Sequence, residues 1–181
     1  MTPINNHQQP LADERPIVRL RAMEPEDLDL LYTIENDREL WSVGSTNVPY
    51  SRFALHQFME QQTGDIYTDR QVRLMIVNEQ DDVVGMVDLM NFNPQHLRAE
   101  VGIVVRSHQR GQGHASAALK LLEQYARQSL HLHQLYAVVA EDNNASLHLF
   151  QKLGYQSEGM LRHWICEGST YQDAVVMQKL L

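Results

Sequence analysis

Residues 101–115 read VGIVVRSHQRGQGHA, and this stretch predicts how the rest of the chain is arranged. It begins with a run of mostly β-branched residues, which is typical of a strand buried on both faces. Gly111 and Gly113 then break the strand pattern and indicate a turn. Apolar residues follow at helical spacing, at Ala115, Ala118, Leu119, Leu122 and Tyr125. The segment therefore predicts a strand, a glycine turn and a helix in succession.

A glycine turn that leads into a helix is suited to bind an anion. The first amides of a helix have no partner within it, and the helix dipole places about half a positive charge there. Glycine lets a phosphate reach the backbone because it has no Cβ. Arg110 adds a fixed positive charge beside the turn. The alternative interpretation is a turn that the glycines only shape and that binds nothing.

Two other kinds of phosphate loop fit this turn less well. A nucleoside-triphosphate loop needs Gly-Lys-Ser/Thr, which the chain lacks. A dinucleotide loop needs an acidic residue at the end of the next strand, about 20 residues further on. Glu141 closes that strand but lies well beyond this spacing from Gly113. The sequence therefore favours a diphosphate site of another class.

Length and composition predict one globular domain. The chain has 181 residues and is 43% hydrophobic, enough to bury most of its apolar surface. We expect residues 1–15 to form a flexible tail and residues 16–181 a single domain. No apolar run reaches the length of a membrane span, so no membrane partner is expected. Cys166 is the only cysteine and residues 1–15 lack an apolar core, which is typical of a cytoplasmic protein.

Charge limits the class of partner. The net charge of −8 argues against nucleic acid, because a phosphate backbone requires a basic surface. It favours cationic ligands by long-range attraction, although the same charge would also keep the protein in solution. No metal site is expected, since the histidines lack a spacing that brings a third ligand to them. Most of them should lie at the surface, namely His108, His114, His131, His133 and His148.

The rest of the pattern predicts a mixed α/β domain without internal repeats. We expect strands at residues 18–21, 71–78, 83–90, 98–105, 135–140, 159–165 and 171–180. Helices are expected to open at Pro25, after Ser51, at Ala115 and at Asn143. A loop with Gly44 and Pro49 separates the first two helices, and tight turns are expected at residues 79–82 and 167–170.

Residues 143–155, NNASLHLFQKLGY, predict a capped amphipathic helix. Asn143 suits the cap, and Ser146 and Phe150 follow on the same face. Gly154 suits the left-handed residue that ends a helix. On its own, the segment is explained by a helix that packs its apolar side chains into the core.

Together these segments resemble the GNAT superfamily of N-acetyltransferases. Residues 110–115 match its Arg/Gln-x-x-Gly-x-Gly/Ala signature, and residues 143–155 match Asn-x-x-Ala/Ser-x-x-x-Tyr/Phe-x-Lys-x-Gly-Phe/Tyr. Residues 158–177 are similar to the carboxyl-terminal hairpin of its ribosomal-protein and spermidine acetyltransferase branches. The resemblance implies a central mixed, mostly antiparallel sheet, flanked by helices and splayed between the fourth and fifth strands.

The resemblance also implies an activity. An acetyl group would pass from acetyl-CoA to a primary amine, on a polyamine-like small molecule or a protein N-terminus, by direct attack. The loop of Arg110, Gly111, Gln112, Gly113, His114 and Ala115 would hold the cofactor's pyrophosphate. Amides of Val104 and Val105 would serve the oxyanion and the pantetheine arm, and Asn143 would contact that arm. The alternative is a domain that binds coenzyme A without turnover, and the sequence leaves open whether copies form a homo-oligomer.

This chemistry needs a base, because a primary amine is mostly protonated at neutral pH. Glu100 is the first candidate, since a carboxylate in an otherwise apolar strand requires a reason. It would draw the proton through water. The alternative is that Glu100 pairs with Arg98 or Arg73 at the sheet surface.

The acid for the departing thiolate is the point where this chain departs from the family. The spermidine branch has a tyrosine at the position of Phe150, which here can only pack beside the thioester. Ser146 is a substitute, or no acid is needed because a thiolate with a pKa of about 8.5 leaves readily. Glu35 and Tyr171 are candidates to bind the acceptor. The alternative for Glu35 is an exposed, solvated acid, and the alternative for Tyr171 is a residue that only fixes the terminal hairpin.

Overall fold

The computed structural model describes residues 16–37 and 48–181, and within them one sheet of seven strands runs in the order β1-β2-β3-β4-β5-β7-β6. The strands are β1 Val18–Ala22, β2 Val72–Asn78, β3 Val83–Asn93, β4 Arg98–Val105, β5 Gln134–Ala140, β6 Gln156–Glu167 and β7 Thr170–Leu180. The helices are α1 Leu28–Glu35, α2 Arg52–Glu60, α3 Ile66–Asp69, α4 His114–Gln128 and α5 Asn144–Lys152. The expected tail, residues 1–15, and Gly44 of the expected loop lie outside the described residues.

The pairing of β4 with β5 sets this sheet apart from a simple antiparallel one. These two strands run parallel, whereas the other neighbouring strands pair antiparallel. The parallel pairing covers only Arg98–Glu100 against residues 134–136. Beyond Glu100, β4 remains paired with β3 as far as Val105, and β5 remains paired with β7. The fourth and fifth strands therefore part, which confirms the predicted mixed sheet with its splay.

The splay corrects one expectation about β4. We predicted a strand buried on both faces, but only Val101 of the run is buried, and residues 102–105 are half-buried. The reason is the missing neighbour, because β5 no longer covers the edge of β4 beyond Glu100. The most apolar run of the chain thus lines an opening in the sheet.

Helices cover both faces of the sheet, as the alternation of side chains along a strand requires. On one face, Leu119 and Leu122 of α4 join a core with Val101 of β4 and Phe150 of α5. On the other face, α1 and α2 form a second core with β2 and β3, made of Leu31, Ile34, Leu55, Met75, Val77 and Met86. The layers are therefore helix, sheet and helix, with the splay in the middle layer.

Several helices and strands begin or end at other residues than predicted. Pro25 opens a 3₁₀ turn, and the first α-helix starts only at Leu28. The short helix α3 was not predicted, although Asp65 caps it by accepting a hydrogen bond from the Tyr67 amide at 3.1 Å. Strand β3 continues through a bulge to Asn93, so it is longer than the strand expected at residues 83–90. Of the described helices, none is long and apolar enough to span a membrane.

Candidate functional site

The loop between β4 and α4 presents a row of main-chain donors. In the described part of the chain, the amides of residues 111–116 donate no hydrogen bond, and the first bond of α4 runs from the Ala117 amide to the Gly113 carbonyl at 3.1 Å. Gly111 and Gly113 have φ of 75° and 85°, a left-handed conformation that residues with a Cβ avoid. These amides lie at the positive end of a helix of 15 residues. The described loop therefore presents free main-chain donors at the start of a helix, which is the geometry that an anion site requires.

Side chains of the loop hold it against the end of β4. Arg110 Nε donates to the Val105 carbonyl at 3.0 Å, and Gln112 Nε2 donates to the His108 carbonyl at 3.2 Å. His114 is buried, with Nδ1 3.3 Å from the Gln109 carbonyl. It is the exception to the expectation of surface histidines, since the others named above are exposed.

The two glycines of the loop have different surroundings. A Cβ at Gly111 would have no atom within 4 Å, so this backbone is open to a ligand. A Cβ at Gly113 would lie 3.1 Å from Cδ of Pro16, which packs against the loop. Gly113 is thus favoured by its backbone angle, and a Cβ there would require Pro16 to give way by a few tenths of an ångström.

The splay brings the end of β4 next to this loop. Val104 and Val105 lie on the segment of β4 that has no partner in β5. A Cβ at Gly85 of β3 would come 2.2 Å from the Val104 carbonyl, so glycine is required there for β3 and β4 to approach. The sequence prediction missed this role of Gly85, since its only local signal is a glycine inside a strand pattern.

Helix α5 brings together the residues predicted on its first two turns. Asn143 Oδ1 accepts a hydrogen bond from the Ser146 amide at 3.1 Å and so caps the helix as predicted. Among the described residues, Asn143 Nδ2 has no acceptor, so this nitrogen remains available to a ligand. Ser146 is half-buried, and the Phe150 ring is buried 4.9 Å from the ring of Tyr155.

Glu100 occupies the last paired position before β4 and β5 part. Its Cα partner on β5 is Tyr136, and its Oε2 accepts a hydrogen bond from Asn91 Nδ2 at 2.8 Å. Burial, followed by the charge of Glu100 and a hydrogen bond to it, raises the pKa of the Tyr136 hydroxyl. The alternative that Glu100 pairs with Arg73 is wrong, because Arg73 is bound to other carboxylates.

Those carboxylates belong to Glu35 and Asp88, on the α1 side of the sheet. Arg73 donates to both oxygens of Asp88 at 2.8 and 2.9 Å and forms an ion pair with Glu35. Burial alone would lower the pKa of Arg73, but the two carboxylates outweigh it and raise that pKa above its ordinary value. Glu35 is 18% exposed, so the interpretation as a solvated acid is wrong. Asp88 was missed, although it breaks an apolar strand as Glu100 does.

Tyr171 lies on the terminal hairpin and is 62% exposed. Its ring stacks on His163 at 6.0 Å beside a shallow depression of about 430 Å³. The depression is lined by Glu141, Asp142, His163, Tyr171, Gln172 and Asp173. On β7, Gln178 is the partner of Tyr136, and Tyr171 is seven residues away, about 23 Å along an extended strand. The structure therefore does not bring Tyr171 next to Glu100.

Comparison with known proteins adds to this geometry. A profile of the acetyltransferase (GNAT) domain matches residues 18–156. Spermidine N(1)-acetyltransferase of Escherichia coli (strain K12) is 30% identical over 164 residues, which cover 88% of this chain and 84% of that protein. The crystal structure of spermidine N-acetyltransferase from Vibrio cholerae in complex with CoA and spermine has a TM-score of 0.81 and 28% identity, covering 90% of this chain and 95% of that one.

Two further structures of the Vibrio cholerae enzyme are similar to this chain. One is a dodecameric structure in an intermediate state, with a TM-score of 0.75, 28% identity and coverage of 90% and 93% of the two chains. The other is a complex with manganese ions, with a TM-score of 0.75, 27% identity and coverage of 90% and 92%.

Proposed function

The chain belongs to the GNAT acetyltransferase family, and on that premise we propose that it transfers an acetyl group from acetyl-CoA to a primary amine of a small, polyamine-like molecule. The amine class is supported by the relatives that are named spermidine acetyltransferases and by the net charge of −8. Phe150, in place of a tyrosine, is the one residue that favours the second acceptor class, a protein N-terminus.

The row of unpaired amides at residues 111–116 carries this proposal. These amides are placed to bind the pyrophosphate of the cofactor, with Arg110, Gln112, His114 and Ala115 completing the loop around Gly111 and Gly113. The pantetheine arm would then enter the splay between β4 and β5 and meet the amide of Val105 and the Nδ2 of Asn143.

The chain's residues divide the chemistry among them. The Val105 amide, on the edge of β4 that faces the splay, would stabilise the tetrahedral oxyanion, whereas the amide and carbonyl of Val104 point to β3. Glu100 would take the amine proton, and because it lies five residues from Val105, about 16 Å along the strand, the proton would travel through water. Phe150 has no proton to give, so the thiolate leaves unaided or receives its proton from Ser146.

The acceptor side would be the face of the sheet that carries α1 and α2. Glu35 and Asp88 place two carboxylates on that face, both bound to Arg73. Acidic side chains there, together with the net charge of −8, would attract an ammonium group over a distance set by ionic screening. Tyr171, remote from Glu100, would contact only a long acceptor.

The remaining expectations follow from the same premise. Residues 16–181 would form one domain, since a single sheet links β1 to β7. A homo-oligomer is supported by the dodecameric relative. We expect the reaction to need no metal, and treatment with a chelator tests this expectation. A cytoplasmic location is supported by the unpaired, exposed Cys166.

Turnover with a panel of amines tests the proposed function. Spermidine, spermine and a peptide with a free N-terminus would each be incubated with acetyl-CoA, and coenzyme A and the acetylated amine would be detected by mass spectrometry. We expect faster turnover with the polyamines, unchanged after treatment with a chelator. If no amine is acetylated although calorimetry shows that acetyl-CoA binds, the protein is a cofactor-binding domain without turnover.

A further inference from the structure

We infer that Asn91 and Tyr136 are positioning residues that hold the Glu100 carboxylate in the orientation needed to accept a proton. The inference rests on the proposed function, in which Glu100 takes the proton of the amine. Neither residue belongs to a motif of the sequence analysis, and each reaches Glu100 from a different neighbouring strand.

Asn91 reaches Glu100 because β3 contains a bulge at this point. The register passes from Met90 opposite Glu100 to Asn93 opposite Arg98, so residues 91 and 92 together face a single residue of β4. In a regular strand, Asn91 would point to the face opposite to that of Met90. Its φ of 50° redirects the chain, and its Nδ2 lies 2.8 Å from Glu100 Oε2. A bulge that re-aims one side chain is a common feature beside active sites.

Tyr136 reaches Glu100 from the other side, at the last rung of the parallel pair. Neighbouring strands lie about 4.8 Å apart, and paired residues of parallel strands project to the same face. Tyr136 is the Cα partner of Glu100 in this pair. Burial, followed by the charge of Glu100, raises the pKa of Tyr136, so the hydroxyl stays protonated and remains a donor for the carboxylate.

The two side chains limit the directions that the Glu100 carboxylate can take. Asn91 Nδ2 donates to one of its oxygens, and Tyr136 lies level with it on the neighbouring strand. Charged groups of the described residues on this face include Arg98, two residues earlier on β4, and Asp88 of β3, which is bound to Arg73 together with Glu35. Removal of either side chain is therefore expected to change how the carboxylate meets the amine proton, which the rate and its pH dependence report.

The pH dependence of turnover tests this role. Tyr136→Phe removes only a hydroxyl, and Asn91→Gly removes the amide while glycine accepts the positive φ. We expect each variant to lower kcat for the amine about tenfold at neutral pH and to leave KM for acetyl-CoA within about twofold. The acidic limb of kcat/KM should move upward by about one pH unit. Tyr125→Phe on α4 is the matched control, with no change expected.

The outcomes separate this role from a structural one and from the proposed function itself. Variants with a lower melting temperature but an unmoved acidic limb would overturn the inference while leaving the proposed function intact. If Glu100→Gln keeps the wild-type pH profile, or the wild-type chain acetylates no amine, the inference fails together with its premise. If Tyr136→Phe does not fold, Asn91→Asp is tested instead. It places a second carboxylate beside Glu100, so the acidic limb of kcat/KM must move upward if Glu100 is the base.

Discussion

Arg73 and Asp88 face each other on strands β2 and β3 and are joined by two parallel hydrogen bonds, Nε to Oδ1 at 2.8 Å and Nη2 to Oδ2 at 2.9 Å. A planar guanidinium matches a carboxylate in this arrangement. Glu35 of α1 binds a third nitrogen, and the Phe58 ring of α2 lies 5.7 Å from the guanidinium carbon. One side chain thus attaches both helices of the proposed acceptor side to the sheet.

Replacement of this arginine is expected to destabilise the fold strongly. Arg73→Met would take the guanidinium away from the carboxylates of Asp88 and Glu35, which are both poorly exposed. Breaking a buried ion pair in this way costs about 3–5 kcal/mol of the free energy of unfolding. Urea denaturation would measure the loss. Arg19→Met is the control: its ion pair with Asp81 is exposed, so a loss below about 1 kcal/mol is expected. Equal, small losses in both variants would contradict this account of Arg73.

The glycine loop can be tested at Gly111 without disturbing packing. Gly111→Ala places a methyl group in open space at a φ of 75°, where it would meet the pyrophosphate. We expect coenzyme A to bind at least tenfold more weakly by calorimetry, because the phosphate can no longer reach the amides. Gly64→Ala is a matched control, with a φ of 74° and open space around it but no part in the loop. Unchanged affinity of Gly111→Ala for coenzyme A would show that this loop does not bind the pyrophosphate.

The two functions assigned to Asn143 are separable. Its Oδ1 caps α5, so Asn143→Ala should lower the free energy of unfolding by about 1 kcal/mol. Asn143→Asp keeps the capping oxygen but loses the amide hydrogens of Nδ2, so stability should be retained while KM for acetyl-CoA rises. Ser51→Ala, which removes the equivalent cap of α2, should cost stability without a change in KM. If Asn143→Asp keeps the wild-type KM, the residue is a cap only.

Acid should weaken the fold through Asp27. A hydrogen bond from Arg21, reinforced by the Glu24 amide at 2.8 Å, lowers the pKa of this carboxyl group, although burial opposes the shift. The folded pKa therefore lies below the unfolded value of about 3.9, so the stabilisation is complete above about pH 4. It is lost as the pH falls through the folded pKa.

Urea unfolding of the wild-type chain and of Asp27→Asn, repeated from about pH 6 down to about pH 2.5, would measure this effect. The difference in free energy of unfolding between the two should shrink as the acid form of Asp27 accumulates. A difference that stays constant over the whole range would show that the charge of Asp27 contributes nothing to stability.

Local features of this protein were predictable because they depend on residues close together in the chain. The bounds of β4, Arg98–Val105, agree with the prediction, since a strand is set by its own side-chain pattern and by flanking breakers. The left-handed angles of Gly111 and Gly113 and the caps at Ser51 and Asn143 follow from conformations and hydrogen bonds within about one turn. The family resemblance rests on the same local segments, which is why the sequence alone was enough to recognise it.

The partners of the charged residues depend on the pairing of distant strands, and only the tertiary structure decided them. Glu100 could have met Arg98 or Arg73 on sequence grounds, but a bulge in β3 directs Asn91 to it, and the register with β5 adds Tyr136. The end of the β4–β5 pairing after Glu100 also has no local signal in either strand. The physical reason is that strand register and bulges are set by packing across the whole sheet, whereas caps and glycine turns are set by the backbone of a few consecutive residues.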